Sequence, residues 1–261
     1  MIQLRDFSIG YGSRMLLDRV NTSFGKGRLT ALIGRNGTGK STLLRAIAGL
    51  NRRYSGEVLL NGRSISGMLP QALAKTLAFV TTERARIPNL RCEDVVAIGR
   101  APYTNWIGRM QAVDREIVTE AIRSVGMEGY ALRTMDTMSD GECQRIMIAR
   151  ALAQDTPVIL LDEPTSFLDM PNRYDLVSLL QTLAHTQGRC VLFSTHELDV
   201  ALQMCDSIAL VDDGALYHLS VPEMVAGGHI QRLFRAPNLS VDRLCAPFSI
   251  TAKNVDSKEG L

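Results

Sequence analysis

The order of apolar and polar residues predicts β-structure at the start of the chain and a helix soon after it. Apolar side chains alternate loosely over 2–9 and 16–24, which predicts two strands around a turn at 10–12. A short apolar run, 29–33, predicts a third strand. The next stretch, 41–50, has its apolar residues at helical spacing, and these are Leu43, Leu44, Ile47 and Leu50.

Later segments predict an antiparallel unit, a helical insertion and a parallel sheet. Residues 55–62 predict a strand that ends in an Asn-Gly turn, which is typical of antiparallel pairing. Residues 90–135 look mostly helical, and 113–125 is their clearest amphipathic stretch. From 146 onward helical and strand patterns alternate, which indicates a parallel sheet covered by helices. The predicted segments are helix 142–153, strand 157–162, helix 172–187, strand 189–194, helix 197–204 and strand 207–211.

These patterns together predict an α/β fold. Its core is a mostly parallel sheet, with an N-terminal antiparallel β-subdomain and an inserted helical subdomain. We expect a single domain over 1–261. Its predicted parts are a core of 1–85 and 155–250, a helical subdomain of 86–154 and a flexible tail of 251–261.

Composition narrows the class of protein. The 261 residues carry a net charge of +2, which gives no reason to expect nucleic acid as a partner. No apolar run approaches the roughly 20 residues that cross a bilayer, and Arg5 and Asp6 lie where a signal peptide needs apolar residues. The five cysteines include no CxxC pair, so we expect free thiols in a reducing cytosol.

A phosphate-binding loop follows the third predicted strand. The residues GRNGTGKS at 34–41 fit the pattern G-x-x-x-x-G-K-[ST], with the strand before and the helix after that the pattern requires. Lys40 is expected to reach the β- and γ-phosphates, Ser41 to bind Mg²⁺ and Thr42 to bond an α-phosphate oxygen. The predicted nucleotide-binding residues of this loop are Gly34, Arg35, Asn36, Gly37, Thr38, Gly39, Lys40, Ser41 and Thr42.

Two acidic residues end the apolar strand at 158–161. The carboxyl ends of strands are where ligands bind in open α/β sheets, so Asp162 and Glu163 are expected beside the phosphate loop. Asp162 can hold Mg²⁺ through its water shell. Glu163 points in a different direction and can orient a water for in-line attack on the γ-phosphate. ATP and Mg²⁺ are therefore the predicted cofactors.

Five motifs in order resemble the nucleotide-binding subunit of an ATP-binding cassette (ABC) transporter, over essentially the whole chain. Besides the phosphate loop and the acidic pair, 138–142 (MSDGE) resembles the family signature LSGGQ, 166–169 the D-loop and 194–197 the switch-histidine loop. The resemblance implies an ABC ATPase fold. It also implies a homodimer in which the signature of one copy closes over ATP bound by the other.

The resemblance assigns roles to residues outside the phosphate loop. The signature residues, expected to act in trans, are Ser139, Asp140, Gly141 and Glu142. Ser139 is also a good N-cap for the helix that follows. His196 is expected to contact the γ-phosphate, Asp169 to belong to the D-loop, and Tyr11 to stack on adenine. A turn aromatic packed locally is the alternative for Tyr11.

The chain departs from the family pattern at two places. Asp140 and Glu142 replace a Gly and a Gln of the signature, and we expect both carboxylates to face away from the γ-phosphate, since they would otherwise repel it. Replacing Asp140 by Gly is then expected to change the ATPase rate only modestly. The Q-loop glutamine is missing after the strand at 77–80, and Thr82 or Glu83 is expected to substitute for it.

The segment IGRAPY at 98–103 resembles ATPases that serve importers of iron chelates, haem and cobalamin, and 221–234 resembles the short closing helix of that branch. Apolar residues after the Q-loop are where the family docks a membrane subunit. Subdomain core is the alternative for these residues, including Trp106. The residues of this predicted patch are Ile87, Pro88, Leu90, Tyr103, Trp106 and Ile107.

The resemblance therefore implies an ATP-hydrolysing subunit of a bacterial importer of an iron chelate or cobalamin. Its partners would be a second copy, two polytopic membrane subunits and, indirectly, a periplasmic or surface binding protein. It would be peripheral on the cytoplasmic face of the cell membrane. The alternative is a soluble ABC ATPase outside transport, such as an iron–sulfur cluster assembly component. A P-loop kinase or GTPase would have no use for the signature.

Overall fold

A computed structural model of the chain describes residues 1–12, 14–82, 88–104, 110–166 and 168–234. Of these, Leu233 and Phe234 are described by their backbone alone. The structure contains two sheets within these ranges. The strands are β1 (Ile2–Tyr11), β2 (Arg14–Phe24), β3 (Arg28–Gly34), β4 (Tyr54–Leu60), β5 (Arg63–Ser64), β6 (Leu77–Val80), β7 (Val158–Leu161), β8 (Cys190–Ser194), β9 (Ser207–Asp212) and β10 (Ala215–Ser220).

The first sheet is antiparallel, with the strand order β2-β1-β4-β5. The Asn-Gly turn predicted after β4 is present, and both of its residues have positive φ, 52° at Asn61 and 76° at Gly62. This is the backbone that a two-residue hairpin turn needs, because its twist matches that of the flanking strands. The predicted N-terminal antiparallel unit is confirmed.

The second sheet has the order β10-β9-β3-β8-β7-β6, in which every neighbouring pair is parallel except β10 with β9. Strands β3, β8 and β7 lie side by side at its centre, so the ends of these three strands meet at one edge. The predicted parallel core is confirmed, and the antiparallel edge strand β10 is an addition to it.

Apolar side chains form two buried cores, one on each face of the parallel sheet. Along β3, Ala31 and Ile33 pack on one face with most of the helices, whereas Leu32 packs on the other face with the helix at 40–47 and the antiparallel sheet. Successive side chains of a strand point to opposite faces of the sheet, so a central strand that is covered on both faces needs apolar residues at nearly every position. The helices are α1 (Lys40–Ile47), α2 (Pro70–Ala74), α3 (Cys92–Ala97), α4 (Ala112–Ser124), α5 (Asp140–Ala153), α6 (Met170–His185), α7 (Leu198–Met204), α8 (Val221–Ala226) and α9 (His229–Phe234).

Helices α3, α4 and α5 contact one another and share the helix-side core, as expected for the inserted helical segment. Within the described ranges no helix combines the length and apolar character that a bilayer crossing needs. Of the cysteines in the described ranges, Cys92, Cys143, Cys190 and Cys205 take part in no disulfide.

Two predicted helices end differently in the structure. Helix α1 stops at Ile47, and Leu50 is 68% exposed, so extending the helix to Leu50 was wrong. Gly49, at φ 73°, turns the chain out of the helix, because glycine adopts this backbone without strain. The single closing helix predicted near the C-terminus is two short helices, α8 and α9, separated by Gly227 and Gly228.

A buried ion pair joins the segment at 98–103 to the helical insertion. The Arg100 side chain donates through Nε to Asp114 Oδ1 (2.9 Å) and through an Nη atom to the carbonyl of Ala153 (2.8 Å), and both charged side chains are 6% exposed. Tyr103 covers the guanidinium, with its ring centroid 4.0 Å away. Arg100 therefore fixes α4 against the end of α5.

Changing Asp114→Asn should lower the free energy of unfolding by about 3 kcal/mol, because it leaves the Arg100 charge buried without a counter-charge. Urea denaturation monitored by circular dichroism measures this difference. The control is Glu120→Gln, which breaks the exposed pair of Glu120 with Arg123 and should cost less than about 1 kcal/mol. Equal effects of the two changes would contradict the structural importance of the Arg100–Asp114 pair.

Candidate functional site

The phosphate loop joins the end of β3 to the first residue of α1, as predicted. Gly34 has φ 153°, and a Cβ there would lie 2.7 Å from the carbonyl oxygen of Val211, so this position has no room for a side chain. Lys40 is 5% exposed, and its Nζ donates to the carbonyls of Gly34 (2.9 Å) and Arg35 (3.3 Å). The loop is thereby closed on its own lysine.

Burial lowers the pKa of Lys40, and the carboxylates of Glu163 and Asp162 act in the opposite direction. These two acids therefore share the electrostatic environment of the loop lysine, although they lie more than 120 residues later in the chain. Their position follows from the sheet order, because β7 and β3 both lie beside β8.

The Asp162 carboxylate connects the ends of β7 and β8 with the start of α1. Its Oδ1 accepts hydrogen bonds from Ser41 Oγ (3.0 Å) at the start of α1 and from Ser194 Oγ (2.7 Å) at the end of β8. The Asp162 side chain is buried together with Ser194. Ser41 and Asp162 thus present adjacent oxygen atoms beside the phosphate loop, and oxygen is the donor type that Mg²⁺ takes in proteins. The predicted magnesium ligands fit that ion.

Glu163 and His196 meet at the same sheet edge. The Glu163 carboxylate is hydrogen-bonded to His196 Nε2, while the Glu163 N–H donates to Ser194 Oγ (2.8 Å). Glu163 has φ 50°, a backbone region that costs a side-chain-bearing residue about 1–2 kcal/mol. The Ser194 hydroxyl therefore contacts both acidic residues: it donates its hydrogen to the Asp162 carboxylate, and its oxygen accepts the Glu163 N–H. Ser194 received no separate role in the sequence prediction, since its contacts depend on strand order.

The signature begins α5 with Ser139 as its N-cap, as predicted. Ser139 donates to Glu142 Oε2 from its backbone nitrogen (2.8 Å) and from its hydroxyl (2.9 Å), and Glu142 N donates to Ser139 Oγ (3.3 Å). This is a capping box. The Ser139 N–H is the main reason that the pKa of Glu142 is lowered, with the Ser139 hydroxyl, Tyr130 and Arg133 adding to it and burial opposing.

A cleft of about 680 Å³ separates the signature from the D-loop. Asp169 is the N-cap of α6, and its Oδ1 accepts from Asn172 N (3.2 Å) and Nδ2 (2.5 Å). Arg145 in α5 donates to Asn172 Oδ1 (2.6 Å), which ties the signature helix to the D-loop. No residue of 34–42 is among the described residues that line this cleft.

The residue expected to stack on adenine, Tyr11, lies at the turn between β1 and β2. The Tyr11 side chain is 56% exposed, which disfavours the alternative of a locally packed turn aromatic. Arg14, which the sequence analysis did not single out, donates to the carbonyl of Gly37 in the phosphate loop (3.1 Å). The hairpin therefore touches the loop through Arg14.

Of the two residues expected to replace the Q-loop glutamine, Thr82 and Glu83, only Thr82 lies among the described residues. Thr82 Oγ1 donates to the backbone carbonyl of Asp162 (2.9 Å), so it lies at the site but uses its hydrogen on the backbone. Glu83 lies outside the described residues, as do Ile87, Trp106 and Ile107 of the predicted docking patch and Phe167 of the D-loop. Leu90 packs against the helix-side core.

The chain is similar to known proteins in sequence and in fold. A model of the family described as "ABC transporter" matches residues 17–166. The chain is 37% identical to an uncharacterized ABC transporter ATP-binding protein of Methanocaldococcus jannaschii, over 99% of this chain and 90% of the relative. It is 36% identical to an iron(3+)-hydroxamate import ATP-binding protein of Bacillus subtilis, over 82% and 80%.

Two solved structures are similar to this fold. One is an inward-facing ABC transporter described as being of the metal-chelate type, with a TM-score of 0.78 and 26% identity, covering 90% of this chain and 88% of the other. The second is a dimeric ATP-binding cassette with ADP and phosphate after hydrolysis, with a TM-score of 0.74 and 27% identity, covering 85% and 99%.

The chain belongs to the ABC transporter family. The resemblance, the P-loop fold class and the ATPase activity predicted from the sequence are therefore confirmed, and ATP is its nucleotide.

Changing Ser194→Ala should lower the free energy of unfolding by about 1–3 kcal/mol without any nucleotide, because the Glu163 N–H loses its acceptor. Urea denaturation of the nucleotide-free protein tests this. Ser124→Ala is the matched control, since that hydroxyl donates only to the carbonyl of Glu120 on the exposed side of α4. If both variants unfold at the same urea concentration, Ser194 does not hold the site together.

Proposed function

We propose that two copies of this chain bind ATP and Mg²⁺ head to tail and drive an importer of an iron chelate or cobalamin. The observation that carries the proposal is the cluster of Ser41, Asp162, Glu163 and His196 beside the phosphate loop. The substrate class is supported by relatives named for import of iron(3+)-hydroxamate and of cobalamin, and by the similarity to a transporter of metal-chelate type.

The phosphate loop holds the nucleotide through its backbone N–H groups and Lys40, which exchanges its carbonyl partners for the β- and γ-phosphates. Ser41 and Asp162 hold Mg²⁺, and Thr42 bonds an α-phosphate oxygen. Mg²⁺, when bound, neutralises charge on the phosphates. Tyr11 stacks on adenine, which suits an exposed ring at the turn next to the loop.

Glu163 orients the attacking water and accepts its proton, while His196 contacts the γ-phosphate. The hydrogen bond between them gives Glu163 a fixed direction before nucleotide arrives. Ser194 gives the two acids different roles: it donates a hydrogen bond to the Asp162 carboxylate, whereas it contacts Glu163 only at the backbone N–H. Asp162 stays with the metal, and the Glu163 carboxylate is directed at the water.

Ser139 and Gly141 act on ATP that is bound by the second copy. Support comes from the cleft at the signature, whose described lining includes nothing of the chain's own phosphate loop, and from the similar cassette that is dimeric. The N-terminus of α5 directs the positive end of its helix dipole at the incoming phosphate. Asp169 and Asn172 complete the same face.

The remaining partners are two polytopic membrane subunits and, through them, an external binding protein. The chain is peripheral on the cytoplasmic face of the membrane and has no nucleic acid partner. The soluble alternative, a cluster-assembly ATPase, predicts that the tagged protein purifies from cells without a polytopic membrane protein. If the chain serves an importer, we expect the tagged protein to purify together with a polytopic membrane protein in stoichiometric amount.

Transport by the reconstituted complex tests the function directly. Uptake of haem, a ferric siderophore and cobalamin is measured with the wild type and with Glu163→Gln, which should reduce ATP hydrolysis at least about 100-fold because the attacking water is no longer activated. Glu120→Gln, an exposed change on α4, should leave uptake unchanged. ATP-dependent uptake of none of the three, or hydrolysis that survives Glu163→Gln, would contradict the proposal.

Changing Glu142→Gln should lower the ATP concentration for half-maximal dimerisation about threefold. The amide can keep the capping box, while one negative charge is removed from the helix end that receives the partner's phosphate. Analytical ultracentrifugation in the Glu163→Gln background measures this shift.

The chain supplies a matched control. Ser220 and Glu223 form the same capping box at the start of α8, with Ser220 N and Oγ donating to Glu223 Oε2 (3.0 and 2.6 Å). Glu223→Gln makes the same chemical change away from the signature and should not shift dimerisation. Equal shifts in both variants, or weaker dimerisation in Glu142→Gln, would be evidence against a phosphate at this helix end.

A further inference from the structure

Arg173, in the first turn of α6, contacts two loops that leave the site. Its Nε donates to the carbonyl oxygen of Leu168 (2.7 Å), and one Nη lies 3.0 Å from Glu197 Oε1. The Arg173 side chain is 35% exposed and that of Glu197 is 17% exposed. The second contact is therefore a partly desolvated ion pair between the D-loop helix and the start of α7.

Both contacts are close in sequence to the catalytic pair. Leu168 lies on the chain that continues from Glu163, and Glu197 directly follows His196. The Glu197 N–H is held by Thr195 Oγ1 (3.0 Å), which fixes the turn after β8. One guanidinium thus connects the loop that carries Glu163 with the loop that carries His196.

The charge on Glu197 depends on its surroundings. Burial raises the pKa of Glu197, while Thr165 and Arg173 favour the ionised carboxylate. An arginine suits this position better than a lysine, since its planar fork can donate to a carbonyl and to a carboxylate in two fixed directions.

We propose that Arg173 is a positioning residue for ATP hydrolysis, which joins the loops of Glu163 and His196 so that the two side chains stay in contact. The inference rests on the proposed function, in which Glu163 and His196 carry out the reaction. Arg173 itself touches neither nucleotide nor water. Its loss should leave binding of ATP intact and disturb the geometry of the catalytic pair.

Steady-state ATP hydrolysis by the full-length chain tests the inference. Arg173→Gln should lower kcat about tenfold, less than the roughly hundredfold loss that a 1 Å displacement of a catalytic group can cause. KM for ATP should stay within about twofold, because no phosphate contact is lost. Arg173→Lys should recover part of kcat. Glu197→Gln should lower kcat to a similar extent, and the double variant should lose no more than either single variant.

Arg123→Gln is the matched control, because Arg123 also lies on a helix and pairs with glutamates, Glu120 and Glu128, but on the exposed side of α4. It should keep the wild-type kcat. If Arg173→Gln does not fold, Arg173→Lys and Glu197→Gln give the result alone. Melting temperatures are recorded for each variant.

The outcomes separate the two claims. Hydrolysis that survives in Glu163→Gln would overturn the proposed chemistry and this inference with it. An inactive Glu163→Gln together with wild-type kcat in folded Arg173→Gln and Glu197→Gln would overturn the Arg173 inference alone. Additive losses in the double variant, or a raised KM with unchanged kcat, would also contradict it.

Discussion

The hydrogen bonds to the Asp162 carboxylate are the constraint on which the rest of the site depends. One oxygen accepts from Ser41 at the start of α1 and from Ser194 at the end of β8, so the carboxyl ends of β7 and β8 are joined to the helix that follows the phosphate loop. Ser194 then holds the backbone of Glu163 in a left-handed conformation. Two hydrogen-bond donors satisfy the Asp162 carboxylate, which allows a buried acid to lie near the phosphate loop.

The parallel sheet explains how residues so far apart in sequence reach this point. Strands β3, β8 and β7 end side by side, and each is followed at once by a functional segment: the phosphate loop, the switch histidine or the acidic pair. Side chains of these strands alternate between the two faces and fill a core on each, so the sheet is packed on both sides where the site residues leave it. The signature, by contrast, lies on the helical insertion, beside the D-loop and in a separate cleft. An ATPase built this way has its phosphate-binding half and its signature half on different surfaces of one copy.

Sequence patterns predicted the parts of this account that are local. The phosphate loop, the acidic strand end and the Asn-Gly hairpin each depend on residues within about eight positions of one another. The capping box of Ser139 and Glu142 could also have been predicted from its S-x-x-E spacing. The contacts of Ser194, Asn172 and Arg173 could not, because they arise only after strand order and helix packing bring distant segments together. The prediction that the first helix reaches Leu50 was wrong for a local reason: Gly49 turns the chain out of the helix, and periodicity alone does not detect such a turn.

The most direct test of the head-to-tail arrangement is a crystal structure of the Glu163→Gln variant with ATP and Mg²⁺. We expect two copies related head to tail, with Ser41 and Asp162 at the metal and with Ser139 and Gly141 of the second copy at the γ-phosphate. A structure in which each copy encloses its nucleotide alone, with the signature cleft facing solvent, would contradict it.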